Sequence, residues 1–305
     1  MSSIVESVPV PVPATFQDTL VDTADYVWQG FWDQYGDPRV KSYPLLGGGP
    51  WPVLAICLVY LYIVKVLGPR LMADRKPFDL KNPIRVYNAF MVLLNVYGVV
   101  MACKLLNYGL DIWGCVPIDH SATDKKSMDI IRLGYIFILS RLIEFFDTIC
   151  FTLRKKYNQV SGFHVFHHFS VPMAVWFFLK FAPGGNSAIF PFLNSIIHTV
   201  MYSYYLLATY NSMQPYLWWK KYLTLAQIVQ FLIMIVHSAQ PLFIPSCQFP
   251  KVFLMTNIIF SFIFIYLFTN FYLQSYCSKE TRAAMRSKLS PLSSIKRWIF
   301  VATVY

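Results

Sequence analysis

The stretch VFLMTNIIFSFIFIYLFTNFYL, residues Val252–Leu273, contains no charged side chain. A helix that crosses a membrane needs about 20 mostly apolar residues, and this stretch is long enough. The whole chain has a matching composition, because 56% of its 305 residues are hydrophobic and only 13% are charged. A soluble domain averages about 25% charged residues. The sequence therefore predicts an integral membrane protein built from α-helices.

Other stretches of the chain have a similar length and composition, and together they predict an all-α bundle of seven transmembrane helices. The seven stretches are Trp51–Leu67, Val86–Leu106, Met128–Leu153, Phe163–Phe181, Ile189–Tyr210, Tyr222–Ile244 and Val252–Leu273. We divide the chain into an N-terminal segment, residues 1–50, a transmembrane domain, residues 51–276, and a basic tail, residues 277–305.

The lysines and arginines predict the orientation of the chain, because loops on the cytosolic side of a membrane are enriched in them. The first, third and fifth connections and the tail carry most of the 26 lysines and arginines, whereas the fourth connection, Phe181–Ala188, has none. We therefore expect a lumenal N-terminus and a cytosolic C-terminus. The net charge of +11 then belongs to cytosolic loops, and we expect no nucleic-acid partner.

This orientation places two cysteines, Cys115 and Cys247, in lumenal loops. Disulfides persist in oxidising compartments, so we hypothesise a bridge between these two residues. Two free thiols are the alternative that the sequence leaves open.

Polar side chains inside a membrane are costly and tend to mark functional sites. The third predicted helix carries Arg141, Glu144, Asp147 and Thr148. Their spacing of three or four residues places them on one face of the helix. A purely structural ion pair between Arg141 and Glu144 is the alternative to a functional role.

The fourth predicted helix opens with three histidines, His164, His167 and His168, which also share one face. An imidazole titrates near neutral pH and can act as a base, a nucleophile or a metal ligand. A lone histidine would more often be a packed core residue, but packing does not explain three on one stripe. We therefore expect this stripe to carry chemistry.

Two further helices carry polar stripes. The fifth carries Asn194, His198, Tyr202 and Tyr205, and the sixth carries Thr224, Gln227, Gln230 and His237. Each stripe alone could provide hydrogen bonds between helices. Four stripes in consecutive helices instead predict one polar cavity in the cytosolic half of the bundle. The lumenal half reads as almost purely apolar, which suits a long hydrocarbon chain.

The pattern His-x-x-His-His also occurs in membrane desaturases and hydroxylases, which hold two irons with a larger set of histidines. This chain has only 6 histidines, and His120 falls in a lumenal loop on the opposite side from the others. We expect no di-iron centre and assign no metal ligands, although a single-metal site stays open at this point.

The motifs resemble those of the fatty acid elongase family. The family's Lys-x-x-Glu-x-x-Asp-Thr is similar to Arg141–Thr148, with arginine in place of lysine, which keeps the charge but not the geometry. The family's other motifs are similar to His164–His168, Asn194–Tyr205 and Thr224–Gln230, and a stretch with Asn270 and Tyr272 resembles its seventh helix.

The resemblance implies an acyltransferase of the endoplasmic reticulum membrane, a very-long-chain 3-oxoacyl-CoA synthase. Such an enzyme condenses a long-chain acyl-CoA with malonyl-CoA and releases 3-oxoacyl-CoA, CoA and CO2. It implies seven helices, six of which surround an acyl-chain tunnel, and no bound cofactor. The implied partners are acyl-CoA, malonyl-CoA, membrane lipids and the ketoacyl reductase, dehydratase and enoyl reductase of the elongation cycle. A homodimer stays open.

The implied catalytic residues are His164, His167, His168, His198, Asn194, Glu144 and Asp147. We expect His167 to be the nucleophile that forms an acyl-imidazole. We expect His198, oriented by Asn194, to bind the malonyl group. The implied substrate-binding residues are Arg141, Tyr202, Tyr205, Thr224, Gln227, Gln230, Asn270 and Tyr272, with Gln227 as a donor to a developing oxyanion.

Two other classes of protein are weighed against this one. A membrane desaturase or hydroxylase shares the histidine pattern but needs more histidines. A seven-helix receptor or transporter would share the topology, but it would not explain three imidazoles beside two acidic side chains.

Overall fold

The computed structural model of the chain describes residues 22–277, and all regular secondary structure within them is helical. Nine helices, numbered α1 to α9, lie in this described part. They are residues 22–35, Trp51–Met72, Lys81–Leu105, Lys125–Ile143, Phe145–Leu153, Gly162–Phe181, Ile189–Ala208, Lys220–Ala239 and Lys251–Tyr276. Residues 1–21 and all of the predicted tail except Cys277 lie outside the described residues.

Each predicted membrane stretch coincides with helical structure, and two of them differ in detail. The predicted helix Met128–Leu153 is two helices, α4 and α5, with Glu144 between them. The predicted helix Tyr222–Ile244 ends earlier, because α8 stops at Ala239 and a 3-10 turn, Gln240–Phe243, follows. Pro241 lies in that turn, and a proline has no backbone N–H to continue an α-helix.

In the described residues, 22–277, four helical stretches are long and apolar enough to cross a membrane by length and composition: α2, α3, α9, and α8 with its 3-10 turn. The helices α4, α6 and α7 carry the charged and polar stripes, which lower their mean hydropathy. Two of these helices begin at clear capping residues. Asp124 accepts a hydrogen bond from the Ser127 backbone N–H at the start of α4, and Ser161 accepts one from His164 N–H at the start of α6.

Six helices form a closed ring. Helix α3 packs against α4 and α7, α4 packs against α6, and α8 packs against both α7 and α9. Aromatic contacts between α6 and α9 close the ring, with Phe163 against Phe268 and Phe177 against Phe253. Helix α2 lies outside the ring against α6, and its last turn lies against α5.

The two ends of the bundle differ in chemistry. At one end, Cys115 of the α3–α4 connection forms a disulfide with Cys247 of the α8–α9 connection, with Cα atoms 5.5 Å apart. We call this the disulfide end. The opposite end carries the connection after α5 with Arg154, Lys155 and Lys156, and we call it the basic end. The positions that the sequence pairs, Cys115 and Cys247, are thus joined in the structure.

The N-terminal segment is packed onto the disulfide end of the bundle, a contact that the sequence does not predict. Lys180 near the end of α6 is 1% exposed, forms an ion pair with Asp33 at 3.2 Å and donates to the Leu46 carbonyl at 2.9 Å. The Trp176 indole N–H donates to the Leu45 carbonyl at 2.8 Å. The lysine in this apolar helix is therefore satisfied by the N-terminal segment rather than by water.

A second buried ion pair ties the same segment to the start of α4. The Arg39 guanidinium donates twice to the Asp37 carboxylate, at 2.9 and 2.7 Å, and once to Ser127 Oγ at 2.6 Å. It also donates to the Asp119 carbonyl. Burial by itself would raise the pKa of Asp37, but the hydrogen bonds and charge of Arg39 outweigh it and hold that pKa below its ordinary value of 3.8.

We predict that Arg39→Met lowers the thermal unfolding midpoint of the detergent-solubilised protein markedly. Removing one partner of a buried ion pair leaves an uncompensated charge, which costs about 3–5 kcal/mol. The matched control is Lys41→Met, because Lys41 pairs with Asp33 through a side chain that is 59% exposed. An exposed pair contributes only about 0–1 kcal/mol, so equal shifts for the two variants would contradict the prediction.

The lowered pKa of Asp37 also predicts an acid dependence. Its contribution to stability is complete above the ordinary pKa of 3.8 and is lost as the pH falls through the lower pKa of the folded state. We expect the difference in unfolding midpoint between the natural chain and Asp37→Asn to be largest above about pH 5 and to shrink in stronger acid. A difference that grows on acidification would contradict this assignment.

Candidate active site

Polar side chains from α3, α4, α5, α6 and α7 meet around the break between α4 and α5. They form three neighbouring groups. The arginine cluster contains Arg141, Glu144, His198, Asn194 and Asn95. The aspartate cluster contains Asp147, Tyr202 and Tyr87, and the histidine cluster contains His164, His167, His168, Thr148 and Tyr60.

Arg141 is the centre of the arginine cluster and is 1% exposed. Its Nη1 lies 2.9 Å from Glu144 Oε1 and donates to Asn194 Oδ1 at 2.9 Å. Its Nη2 donates to Asn95 Oδ1 at 3.2 Å. This one guanidinium therefore connects α3, α4 and α7, and the Phe137 ring 4.6 Å from the guanidinium carbon covers it.

The same carboxylate fixes the His198 ring. Glu144 Oε1 lies 2.8 Å from His198 Nδ1, and a carboxylate can only accept, so we assign the ring proton to Nδ1. Arg141 Nη1 also lies 2.7 Å from Nδ1, a contact between two donors that the shared oxygen of Glu144 compensates. In a neutral ring the lone pair is then on Nε2, 3.1 Å from Arg141 Nη1.

The geometry corrects the expected role of Asn194. The sequence assigns Asn194 to orient His198 directly, because it lies one turn earlier on the same helix. In the structure, Glu144 contacts the ring nitrogen, and the Asn194 oxygen accepts from Arg141. Asn194 therefore acts on His198 through Arg141. Arg141, expected to bind substrate, is itself enclosed by protein partners.

The aspartate cluster faces α3 and α7. Asp147 Oδ2 accepts from the Tyr202 hydroxyl at 2.7 Å and from the Tyr87 hydroxyl at 3.1 Å. Both tyrosine side chains are buried. The Tyr205 ring lies against the Tyr202 ring with centroids 5.9 Å apart. Tyr205, the last residue of the α7 stripe, therefore contacts the cluster through ring packing.

The histidine cluster faces α2 and α6. Thr148 Oγ1 lies 2.8 Å from His164 Nε2 and 3.1 Å from the Tyr60 hydroxyl. The rings of His164 and His168 are stacked obliquely, with centroids 4.3 Å apart. The Ser161 cap places all three histidines in the first two turns of α6, near the basic end.

His167 differs from the other imidazoles of the site. Its ring contacts the rings of His168 and Phe264, with both centroid distances at 5.4 Å. Within residues 22–277 neither His167 nor His168 makes a side-chain hydrogen bond, whereas His164 is held by Thr148 and His198 by Glu144. Of the two unbonded rings, His168 is buried and His167 is only partly buried. Both ring nitrogens of His167 are therefore available to a bound molecule.

The residues expected from α8 and α9 are less closely joined to the site. Gln227 Nε2 lies 3.8 Å from Met201 Sδ of α7, and Gln230 is buried with no hydrogen bond to its Oε1. Thr224 is buried, and Tyr272 packs against Tyr276. Within the described chain no hydrogen bond connects Thr224, Asn270 or Tyr272 to the three clusters.

His237, the remaining polar residue noted on this helix, lies away from the site. Its Nε2 lies 2.7 Å from the Ile112 carbonyl and its ring packs against Trp113, close to the disulfide. The disulfide end of α8 therefore contacts the α3–α4 connection through His237.

Three partners in the clusters are not found by the sequence reasoning. Tyr87 and Asn95 are eight residues apart on α3, so the spacing rule applied to the other helices would have placed them on one face. Tyr60 is different. It lies in an apolar helix beside another tyrosine, Tyr62, and no local pattern distinguishes the two.

An elongated cavity lies inside the ring of helices. At one end it is lined by Asn95 and Ser140, which both contact Arg141. From Leu94 to Leu106 it follows α3 for about 18 Å at ~1.5 Å per residue. Its walls are mostly apolar, and its other end lies at the α6–α7 connection near the disulfide.

The site does not present a ready set of metal ligands. Across residues 22–277, no three His, Cys, Asp or Glu side chains are arranged to hold a metal ion. The imidazoles instead face hydroxyls, a carboxylate and one another. This arrangement suits proton transfer and nucleophilic attack beside an apolar cavity.

Comparison with known proteins gives a consistent result. Residues 45–284 match the model of the ELO family, described as the GNS1/SUR4 family. The chain is 44% identical over 265 residues to a very long chain fatty acid elongase of Aedes aegypti, covering 83% of this chain and 71% of that protein. It is 42% identical over 248 residues to very long chain fatty acid elongase 1 of Mus musculus, covering 80% and 87%. It is 36% identical over 295 residues to very long chain fatty acid elongase 4 of Homo sapiens, covering 95% and 91%.

We predict that Arg141→Met destabilises the protein more than the double variant Arg141→Met with Glu144→Gln. The single change leaves a buried carboxylate beside an imidazole, at a cost of about 3–5 kcal/mol, whereas the double change removes both charges. Thermal unfolding midpoints measure the order. The control Arg132→Met breaks an exposed pair with Asp129 and is expected to have little effect. A double variant less stable than the single one would contradict the prediction.

Proposed function

Because this chain belongs to the ELO family, also called the GNS1/SUR4 family, we propose that it is a condensing enzyme of very-long-chain fatty acid elongation. It joins a long-chain acyl-CoA to malonyl-CoA and releases 3-oxoacyl-CoA, CoA and CO2, which makes it an acyltransferase. The observation that carries the proposal is the unbonded His167 ring within a cluster of imidazoles, in a ring of helices that also encloses a long apolar cavity.

The proposed arrangement in the membrane has seven spans, formed by α2, α3, α4 with α5, α6, α7, α8 and α9. The cavity inside the six-helix ring is the acyl-chain tunnel. The basic end faces the cytosol, where its lysines and arginines attract the anionic CoA group. The disulfide end faces the lumen of the endoplasmic reticulum, which is an oxidising compartment.

We assign His167 as the nucleophile. A neutral ring nitrogen attacks the thioester carbon, the C–S bond breaks, and the proton of the other ring nitrogen passes to the CoA sulfur. The products are free CoA and a neutral acyl-imidazole. His164 and His168 stand beside His167, and the hydrogen bond between His164 and Thr148 holds that side of the cluster in place.

The second half of the reaction uses malonyl-CoA. It loses CO2, and the electron pair of the broken C–C bond stays on the remaining two-carbon unit as an enolate. The enolate carbon attacks the acyl carbon, the C–N bond to His167 breaks, and the imidazole takes up one proton. The 3-oxoacyl-CoA is two carbons longer than the starting thioester, and the enzyme returns to its first state.

The arginine cluster is the proposed site for the malonyl group. We assign His198 to the malonyl carboxylate and to the enolate that replaces it, because Arg141 is enclosed by its protein partners. Glu144 keeps His198 in one orientation, and Asn194 and Asn95 hold Arg141. Gln227 donates one amide N–H to Met201 Sδ. We assign its second amide N–H as a donor to the developing oxyanion.

The product determines the partners of the proposed enzyme. A 3-oxo group must be reduced, the resulting alcohol dehydrated and the enoyl double bond reduced before another cycle can start. We therefore propose that a ketoacyl reductase, a dehydratase and an enoyl reductase act next in the same membrane.

We predict that the purified chain extends a long-chain acyl-CoA only when malonyl-CoA is present. Mass spectrometry of the product should show a 3-oxoacyl-CoA with two more carbons, together with one CO2 for each product. A desaturase or hydroxylase would leave the chain length unchanged, and it would purify with stoichiometric iron. That pair of results would exclude the proposed reaction.

We predict that acyl-CoA alone forms a covalent adduct on the protein, detected by intact mass with loss of CoA. His167→Ala should abolish the adduct and lower elongation by roughly 10³-fold or more, as expected when a nucleophile is removed. His120→Ala is the matched histidine control, because the His120 ring is 69% exposed at the disulfide end. An adduct that persists in His167→Ala would exclude this nucleophile.

A further inference from the structure

The end of the cavity farthest from the arginine cluster is not purely apolar, which corrects the expectation from the sequence. Four polar residues line it there: Asn186, Ser187, Ser238 and Asn257. They come from the turn Gly185–Ala188, the last turn of α8 and the first half of α9. The turn packs against α9, so these residues close one end of the cavity.

Asn186 and Ser238 make hydrogen bonds that hold this end of the structure together. Asn186 accepts from the Val116 N–H at 2.7 Å and donates to the Gly114 carbonyl at 2.8 Å, which fastens the turn beside Cys115. Ser238 Oγ accepts from Asn257 Nδ2 at 2.7 Å. These bonds explain why the turn and the two helix ends hold their positions, but they do not satisfy the other polar atoms.

The remaining polar atoms have no protein partner. Ser187 Oγ is buried and makes no hydrogen bond. Within residues 22–277 the Asn257 side chain bonds only through its Nδ2 atom to Ser238, so its oxygen has no donor. A donor and an acceptor without partners thus lie at one end of an apolar cavity, where an unmet hydrogen bond is expensive.

We propose that this end of the cavity is a binding site for a hydroxyl group, and that the preferred acyl chain carries a hydroxyl at its ω end. The inference rests on the proposed function, which places the thioester at His167 and the acyl chain along the cavity that begins beside the arginine cluster. A hydroxyl can donate to Asn257 Oδ1 and accept from Ser187 Oγ. A methyl group can do neither, and a site built for a hydroxyl discriminates against the analogue that lacks it.

The site discriminates between acyl chains by their length and their end group together. A chain that is too short leaves its hydroxyl beside the apolar walls, among side chains such as Phe137 and Leu179. A chain that spans the cavity places the hydroxyl between Ser187 and Asn257. The ω-hydroxyl is therefore unfavourable on short chains and favourable on chains that reach the end.

The experiment compares paired acyl-CoA substrates, unsubstituted and ω-hydroxylated, across a series of equal chain lengths with the full chain in lipid nanodiscs. The measured quantity is the ratio of kcat/KM for the ω-hydroxylated substrate to that for the unsubstituted one. We expect the ratio to lie below one for short chains and to rise to roughly tenfold above one at the length that spans the cavity. A ratio that is flat or falls with length would overturn the proposal and indicate that these polar atoms hold water only.

Matched variants separate this site from general damage. Asn257→Leu should remove the rise of the ratio with chain length, and Ser187→Ala, which breaks no hydrogen bond in the structure, should reduce it. The control is Thr256→Val, since Thr256 is the neighbouring residue, bonds only to the Val252 carbonyl and does not line the cavity. A rise that survives in both Asn257→Leu and Ser187→Ala would overturn the assignment.

A binding measurement keeps the proposal distinct from the proposed reaction. Thermal stabilisation of the protein by each acyl-CoA, without malonyl-CoA, needs no turnover. We expect the spanning ω-hydroxylated thioester to stabilise the natural chain more than its unsubstituted partner does. If no substrate is elongated but this order holds, the condensing activity fails and the hydroxyl site stands. If elongation occurs without this order, the hydroxyl site fails alone.

Discussion

The buried ion pair of Arg141 and Glu144 is the interaction on which the rest of the site depends. A buried charge at membrane depth is stable only when an opposite charge pairs with it. Because desolvation is costly, each remaining donor and acceptor of the two side chains also needs a hydrogen-bond partner. Arg141 meets that demand with Asn95 of α3 and Asn194 of α7, and Glu144 meets it with His198. One ion pair therefore fixes three helices and one imidazole.

The break between α4 and α5 lets the residues around this ion pair contact several other helices. Glu144 stands between the two helices, and the next turn sends Asp147 toward α3 and α7 and Thr148 toward α2 and α6. A single short stretch thus supplies an anchor for His198, three tyrosines and His164. It holds neither His167 nor His168, and the less buried of these two, His167, is the one that we propose reacts with substrate.

The sequence predicted most of the fold and half of the site for separate reasons. The helices could be predicted because a membrane requires long apolar runs, and the polar stripes because helical spacing alone brings Arg141, Glu144 and Asp147 to one face. The family is confirmed by the comparisons. The packing of the N-terminal segment could not be predicted, because the partners of Lys180 and Arg39 are backbone carbonyls and distant side chains that carry no local pattern.

By itself, the sequence determined which side chains share a helix face, since that depends only on spacing within one element. Only the tertiary structure decided which faces meet and which nitrogen each carboxylate or hydroxyl contacts. In the structure, the His198 ring bonds to Glu144 rather than to Asn194. Tyr87 and Tyr60 belong to the site, and His237 lies outside it. The physical reason is that a hydrogen bond is lost when its donor and acceptor move apart by about 1 Å. Atomic positions are fixed to that precision only by the packing of whole helices.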